Sequence, residues 1–224
     1  MSQNLPALRL APGRCIKCRL LQENCLCATL PHINTRTRLL IVIHWRDYVR
    51  LSNSGQLAAQ MLQQAELRVR GLPGGSFVED SSAEAAAPSN AERRLLLYAP
   101  SDVSKAPPSH AAARLDETHR AKEGETVTLL VPDGSWTQTR RMVRREPVFA
   151  HAEMVTLPPG PASRYQLRHA PAAEMVSTLE AVARALTLLE DDPSIETRML
   201  AFFEPWVERM LMGRRSNGAP FQNC

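Results

Sequence analysis

Two groups of residues in this chain have the types and spacing to do chemistry. The first is Cys15-Ile-Lys-Cys18, followed by Cys25-Leu-Cys27. Short cysteine spacings of this kind let four sulfur atoms converge on one tetrahedral ion. Thiolates suit zinc, and four of them close the coordination shell, which marks a structural site and not a catalytic one. An iron–sulfur cluster and a redox pair are the alternatives. Cys224 has no partner in this pattern. The second group is Asp133-Gly134-Ser135-Trp136, after the apolar, β-branched run Thr126 to Val131. A carboxylate and a hydroxyl there stand at a sharp turn at the carboxyl end of a strand, the edge at which open α/β sheets bind ligands. Pro132 is expected to end the strand, and Asp133-Gly134 has turn chemistry. Ser135 is placed to cap a helix carrying Arg140, Arg141, Arg144 and Arg145, a basic surface suited to a polyanion. Taken alone, the turn reads more readily as structural punctuation, with Asp133 only a cap. Trp136 reads either as a pocket wall or as a core anchor.

Further strands and helices must bring these groups together. Arg38 to His44 is an unbroken apolar run, as in a parallel strand covered on both faces. It ends in a loop holding His44, Arg46, Arg50, Asn53 and Ser54, side chains that suit phosphate and ribose. A helix is expected from Gln56 to Leu67, then a short strand from Leu67 to Arg70. Residues 71–90 are rich in Gly, Ser, Pro, Ala and acids and read as a surface loop. Arg93 to Tyr98 is a second core strand, ending at Ala99-Pro100-Ser101. A short helix near Ala111 to Leu115 and a fourth strand from Ala152 to Leu157 follow. The segment Ser163 to His169, with Arg164 and Arg168, is basic and aromatic and fits an RNA-facing element. Met175 to Leu186 is a helix with Ser177 or Thr178 as its cap and Glu180 near its positive end. Ile195 to Met212 is an amphipathic helix interrupted at Pro205, with Phe202, Phe203, Trp206 and Met210 on its apolar side.

The chain has 224 residues and a net charge of +4, which suits one α/β domain with a small appendage and permits a nucleic-acid partner without requiring one. The expected division is a tail and four-cysteine knuckle over 1–37, a main domain over 38–212 and a loose basic tail over 213–224. No run of 18 apolar residues predicts a membrane helix, and the first residues do not read as a secretory signal. A cytoplasmic location follows as the expectation, with the cysteines kept reduced for a metal. Whether the protein is a monomer or a homodimer is open.

Together these residues carry a resemblance. Cys-x-x-Cys with Cys-x-Cys, Asp133-Gly134-Ser135-Trp136, and Ser177-Thr178-Leu179-Glu180-Ala181 occur in this order in the DTW-domain family, the tRNA-uridine aminocarboxypropyltransferases. Ser135 stands where that family usually has Thr, and His44-Trp45-Arg46-Asp47 where it commonly has His-Pro and then Glu. Asn53-Ser54-Gly55 and Leu97-Tyr98-Ala99-Pro100-Ser101 are also similar to family segments, so the likeness spans Cys15 to Leu186. It implies a SPOUT-like α/β fold, a mostly parallel sheet flanked by helices, with a trefoil knot toward the C-terminus. It implies S-adenosylmethionine as donor of a 3-amino-3-carboxypropyl group to N3 of a tRNA uridine, with methylthioadenosine released. By this resemblance Asp133, Ser135 and Trp136 form the catalytic turn. Tyr98, Pro100, Ser101, Pro132, Asp133, Gly134, Ser177, Thr178 and Glu180 contact the donor. His44, Arg46, Arg50, Asn53, Arg140, Arg141, Arg144, Arg164 and Arg168 contact the tRNA. A methyltransferase on the same fold and a non-enzymatic zinc-knuckle RNA-binding protein are the competing readings.

Overall fold

The structure is a computed structural model that describes residues 8, 10–72, 88–89, 91–98, 112–167 and 175–216, the last three as backbone only. Pro100, Ser101 and Arg168, and most of the loop expected over 71–90, lie outside the described residues. Among the described residues six strands form one sheet: β1 (Arg38–His44), β2 (Ala65–Arg70), β3 (Glu92–Leu97), β4 (Ala113–Arg114), β5 (Thr126–Asp133) and β6 (Glu153–Thr156). Their order is β2-β1-β5-β3-β6-β4, and each of these pairings is parallel. The described α-helices are α1 (Trp45–Tyr48), α2 (Ser54–Met61), α3 (Trp136–Arg145), α4 (Thr178–Glu190) and α5 (Ser194–Ser216). None of the described helices is long and apolar enough to cross a membrane.

The apolar runs are continuous because both faces of the sheet are covered. In β1, Leu39, Ile41 and Ile43 join one core with α2, α4 and α5, whereas Leu40 and Val42 join a second core with Met142 of α3 and with Phe149. Strand side chains alternate between faces. Asp133 shares the parity of Leu129 and Val131 and so points toward α2 and α4. His44 and Tyr98 share the parity of Val42 and Leu96 and point toward α3. The chain leaves β1 toward β2 on one side and leaves β5 toward β6 on the other. The carboxyl ends of β1 and β5 therefore flank the switch point, where a parallel sheet opens a crevice.

Several expectations are corrected. Pro132 does not end its strand: β5 runs on to Asp133, with Val42 paired to Pro132 and Ile43 to Asp133. The pairing with β3 stops at Leu130, so β5 has a single strand neighbour at Pro132 and a proline is tolerated there as on an edge. α2 stops at Met61, not Leu67, because Leu62 bridges to Ile33 and the chain extends into β2. The short helix expected near Ala111 to Leu115 is instead β4, paired with β6. α5 is not interrupted at Pro205. It continues to Ser216, beyond the expected start of a loose tail at 213, with Phe202, Phe203, Trp206 and Met210 buried along it. That packing offsets the backbone hydrogen bond that proline removes.

Candidate functional site

Asp133 is 6% exposed and is held on both carboxylate oxygens. The Asn53 side-chain amide donates to Oδ2 at 2.7 Å, and the Thr178 hydroxyl donates to Oδ1 at 2.7 Å. Asn53 is also the N-cap of α2, accepting from the Gln56 amide at 2.7 Å. Thr178 opens α4. One buried carboxylate thus joins the starts of two helices, whose dipoles both favour negative charge. Gly55 makes the approach possible: a Cβ there would run into Asp133 Oδ2. Asn53, expected among the RNA contacts, is 2% exposed and works inside the site.

Two capping boxes flank Asp133. At the start of α4, Ser177 and Glu180 cap each other. Both Glu180 oxygens are engaged: Oε2 accepts from the Ser177 amide at 2.8 Å and the Ser163 hydroxyl at 2.6 Å, and Oε1 from the Arg164 amide at 2.7 Å. At 2% exposure, Glu180 pins the 163–164 loop to the helix start. At the start of α3, Ser135 and Gln138 form the same box. The Ser135 amide donates to Gln138 Oε1 at 2.6 Å, which fixes the side-chain amide so that its Nε2 meets His44 Nδ1 at 2.9 Å. The Arg46 amide also donates to Nδ1, at 3.2 Å. With two donors on Nδ1, the neutral imidazole carries its proton on Nε2. Burial holds the His44 pKa below its ordinary value, with Asp47 opposing.

Trp136 is 37% exposed, so it is not a core anchor. Tyr98 is half-buried at the end of β3, and its amide donates to Val155 at 3.0 Å. Burial pushes its phenol pKa up, and the neighbouring Arg140 pulls the other way. Arg140, Arg141 and Arg144 are exposed along α3 and make no ion pair among the described residues. Arg46 is exposed, Arg50 pairs with Asp47 at 3.7 Å, and Arg164 pairs with Glu204.

The four cysteines form a second constellation, with all four sulfur atoms within 4.8 Å of one another. Two pairs, Cys15–Cys27 and Cys18–Cys25, are 3.6 Å apart. A tetrahedral zinc with bonds of about 2.3 Å sets sulfurs roughly 3.8 Å apart, so the set fits. For Cys15, burial opposes ionisation, but backbone hydrogen bonds from Cys18 and Lys17 outweigh it and bring the pKa to about 7. Burial pushes Cys18 and Cys27 up, and the crowded thiols add to the rise at Cys27. A divalent cation would relieve that crowding by drawing off the protons.

The residue types and their spacing coincide with one known domain. The family model for the DTW domain matches residues 13–211. This chain belongs to the DTW-domain family. Two curated relatives, each named tRNA-uridine aminocarboxypropyltransferase 2, come from Macaca fascicularis and Mus musculus. Each is 28% identical over 188 residues, which is 83% of this chain and 59% of the relative. The chain thus spans about three-fifths of the length of the curated relatives it matches. No solved structure matches it. The DTW signature itself, Asp133 to Trp136, splits by burial: Asp133 is buried and Trp136 is exposed. Sequence reading missed Gln138 and Gly55. Gln138 was legible as the fourth member of a Ser-x-x-Gln capping box. Gly55 was legible only as part of the segment Asn53-Ser54-Gly55; the reason for a glycine was not, because the close approach of Asp133 comes from a residue 78 positions further along the chain.

Proposed function

We propose that this protein transfers the 3-amino-3-carboxypropyl group of S-adenosylmethionine to N3 of a tRNA uridine. The observation that carries the reading is Asp133, buried at the β1/β5 switch point between two helix starts, with the basic face of α3 beside it. Membership of the DTW family and the names of the relatives support it. The donor lies against Tyr98, Pro132, Asp133, Gly134, Ser177 and Thr178, in the knotted SPOUT-like pocket that the resemblance implies. Ser135 and Trp136 wall the uridine side, and tRNA runs over Arg46, Arg140, Arg141 and Arg144. The four cysteines hold zinc as a structural ion, and the protein acts in the cytoplasm.

The sulfonium of the donor is already an electrophile, so the chemistry requires no covalent enzyme intermediate. The N3–Cγ bond forms as the Cγ–S bond breaks. The electron pair of that bond stays on sulfur, giving the neutral thioether methylthioadenosine, and the N3 proton is released. The protein supplies orientation, which is worth several orders of magnitude in rate. Hydrogen bonds from Asn53 and Thr178 fix Asp133 in place. Asp133 in turn orients the uracil edge. The test incubates purified protein with S-adenosylmethionine and unmodified tRNA and reads nucleosides and small products by mass spectrometry. Aminocarboxypropyl-uridine together with methylthioadenosine is the expected result. Methyluridine with S-adenosylhomocysteine would replace this reading with a methyltransferase.

A further inference from the structure

The knuckle is joined to the site through a buried arginine. Arg19, directly after Cys18, is 1% exposed and has a left-handed backbone with φ of 64°. Its guanidinium pairs with no carboxylate among the described residues. Instead Nη1 donates to the carbonyl of Tyr48 at 2.7 Å and to that of Arg50 at 2.5 Å, and the group lies 5.4 Å from the centre of the Tyr48 ring. Burial lowers its pKa to about 10, with Tyr48 opposing, so it is charged at neutral pH. A buried cation without an acid is expensive.

The Arg50 carbonyl is a shared joint. It also accepts from the Asn53 amide at 3.1 Å, and the Asn53 side chain holds Asp133. The rest of the knuckle is fastened to the same region. The Lys17 carbonyl accepts from Gln56 of α2 at 3.0 Å and from Gln60 at 3.3 Å, and the Cys18 carbonyl accepts from Trp206 of α5 at 2.7 Å. Cys18 and Leu20 belong to the main core. Arg19 therefore joins the backbone of the cysteine cluster directly to the backbone that carries Asn53.

We propose that Arg19 is a positioning residue through which the metal-loaded cysteine cluster sets the 48–56 loop, and through Asn53 the place of Asp133. The inference rests on Asp133 being the centre of the site, but its test does not depend on any reaction. Hydrogen exchange is followed at the amides of Val49, Arg50, Asn53 and Gln56, each bonded within this loop. Arg19→Met keeps the aliphatic stem and removes the head. In zinc-loaded Arg19→Met, these amides exchange at least about tenfold faster, while β5 amides and the zinc content are unchanged. Arg19→Lys, which keeps a charged donor, restores part of the protection. Stripping zinc from the wild-type protein with a chelator produces the same local loosening, and added zinc reverses it. Unchanged exchange at these four amides in both Arg19→Met and the chelated wild type overturns the proposal. So does a rise spread evenly over the sheet, which is the mark of a general loss of stability. These outcomes are read whether or not aminocarboxypropyl-uridine is formed.

Discussion

α3 and α4 begin with the same device and use it in opposite ways. Each has a serine N-cap and a capping-box partner three residues on, and the two boxes flank Asp133. At α4 the partner is Glu180, buried and bonded to the 163–164 loop. At α3 the partner is Gln138, only partly buried, whose second hydrogen bond goes to His44. The helix behind Glu180 is apolar and lies in the core, whereas the helix behind Gln138 carries exposed arginines. One cap builds a fixed wall, and the other builds an edge exposed to solvent. Capping chemistry alone does not make the difference. Burial of what surrounds it does.

The largest effect is expected on the wall. Glu180→Ala strands three donors in the interior and should cost about 3 kcal/mol or more, read as a lower urea midpoint. If stability is unchanged and only donor affinity falls, Glu180 is a ligand contact and the contrast fails. Next comes the carboxylate between the two caps. Asp133→Ala should lower turnover by roughly 100-fold or more, and Asp133→Asn, which keeps the shape and one acceptor oxygen, should lose less and melt near the wild type. Equal losses in the two variants would assign Asp133 the proton and not only the orientation. On the edge, replacing Arg140, Arg141 and Arg144 together by Ala should weaken tRNA binding and flatten its salt dependence by about one unit per lost phosphate contact. Stability should stay within about 0.5 kcal/mol of the wild type. Gln138→Ala should cost only about 1 kcal/mol in stability, while releasing the His44 tautomer.

The smallest effect is one of pH. Burial lowers the His44 pKa from its ordinary 6.5, so as pH falls the unfolded chain takes up a proton before the folded one. The stability this ring contributes is present above pH 6.5 and is lost as pH drops through the folded value. Urea midpoints at pH 7.5 and 5.5 should therefore differ less in His44→Gln than in the wild type. An equal drop in both would place the acid sensitivity elsewhere.

How much of the site was legible depends on how local its causes are. The four cysteines were legible as a metal set because thiol chemistry and spacing along the chain suffice. β1 was legible to the residue, since its apolar run needs only cover on both faces. The Ser177 cap was legible because capping is settled within one turn. Pro132 misled, because a proline in a strand is judged by its neighbours, and the end of the β3 pairing at Leu130 is a fact of register. Asn53 misled for a related reason. A polar residue in a loop suggests solvent, but this one is 2% exposed.

By itself, then, the sequence determined the inventory: a four-cysteine knuckle with the spacing of a metal set, parallel strands, capped helices, and the Asp-Gly-Ser-Trp signature on a strand-to-helix junction. These depend on side-chain type and on periodicity over a few residues. Only the tertiary structure decided that Asp133 faces α2 and α4 while His44 and Tyr98 face α3, and that Gly55 leaves room for a carboxylate. Only it decided that a buried guanidinium joins the knuckle to the loop that carries Asn53. Those arrangements depend on which strands are neighbours and on what covers each face, and contacts between residues 31 to 94 positions apart in the chain carry them.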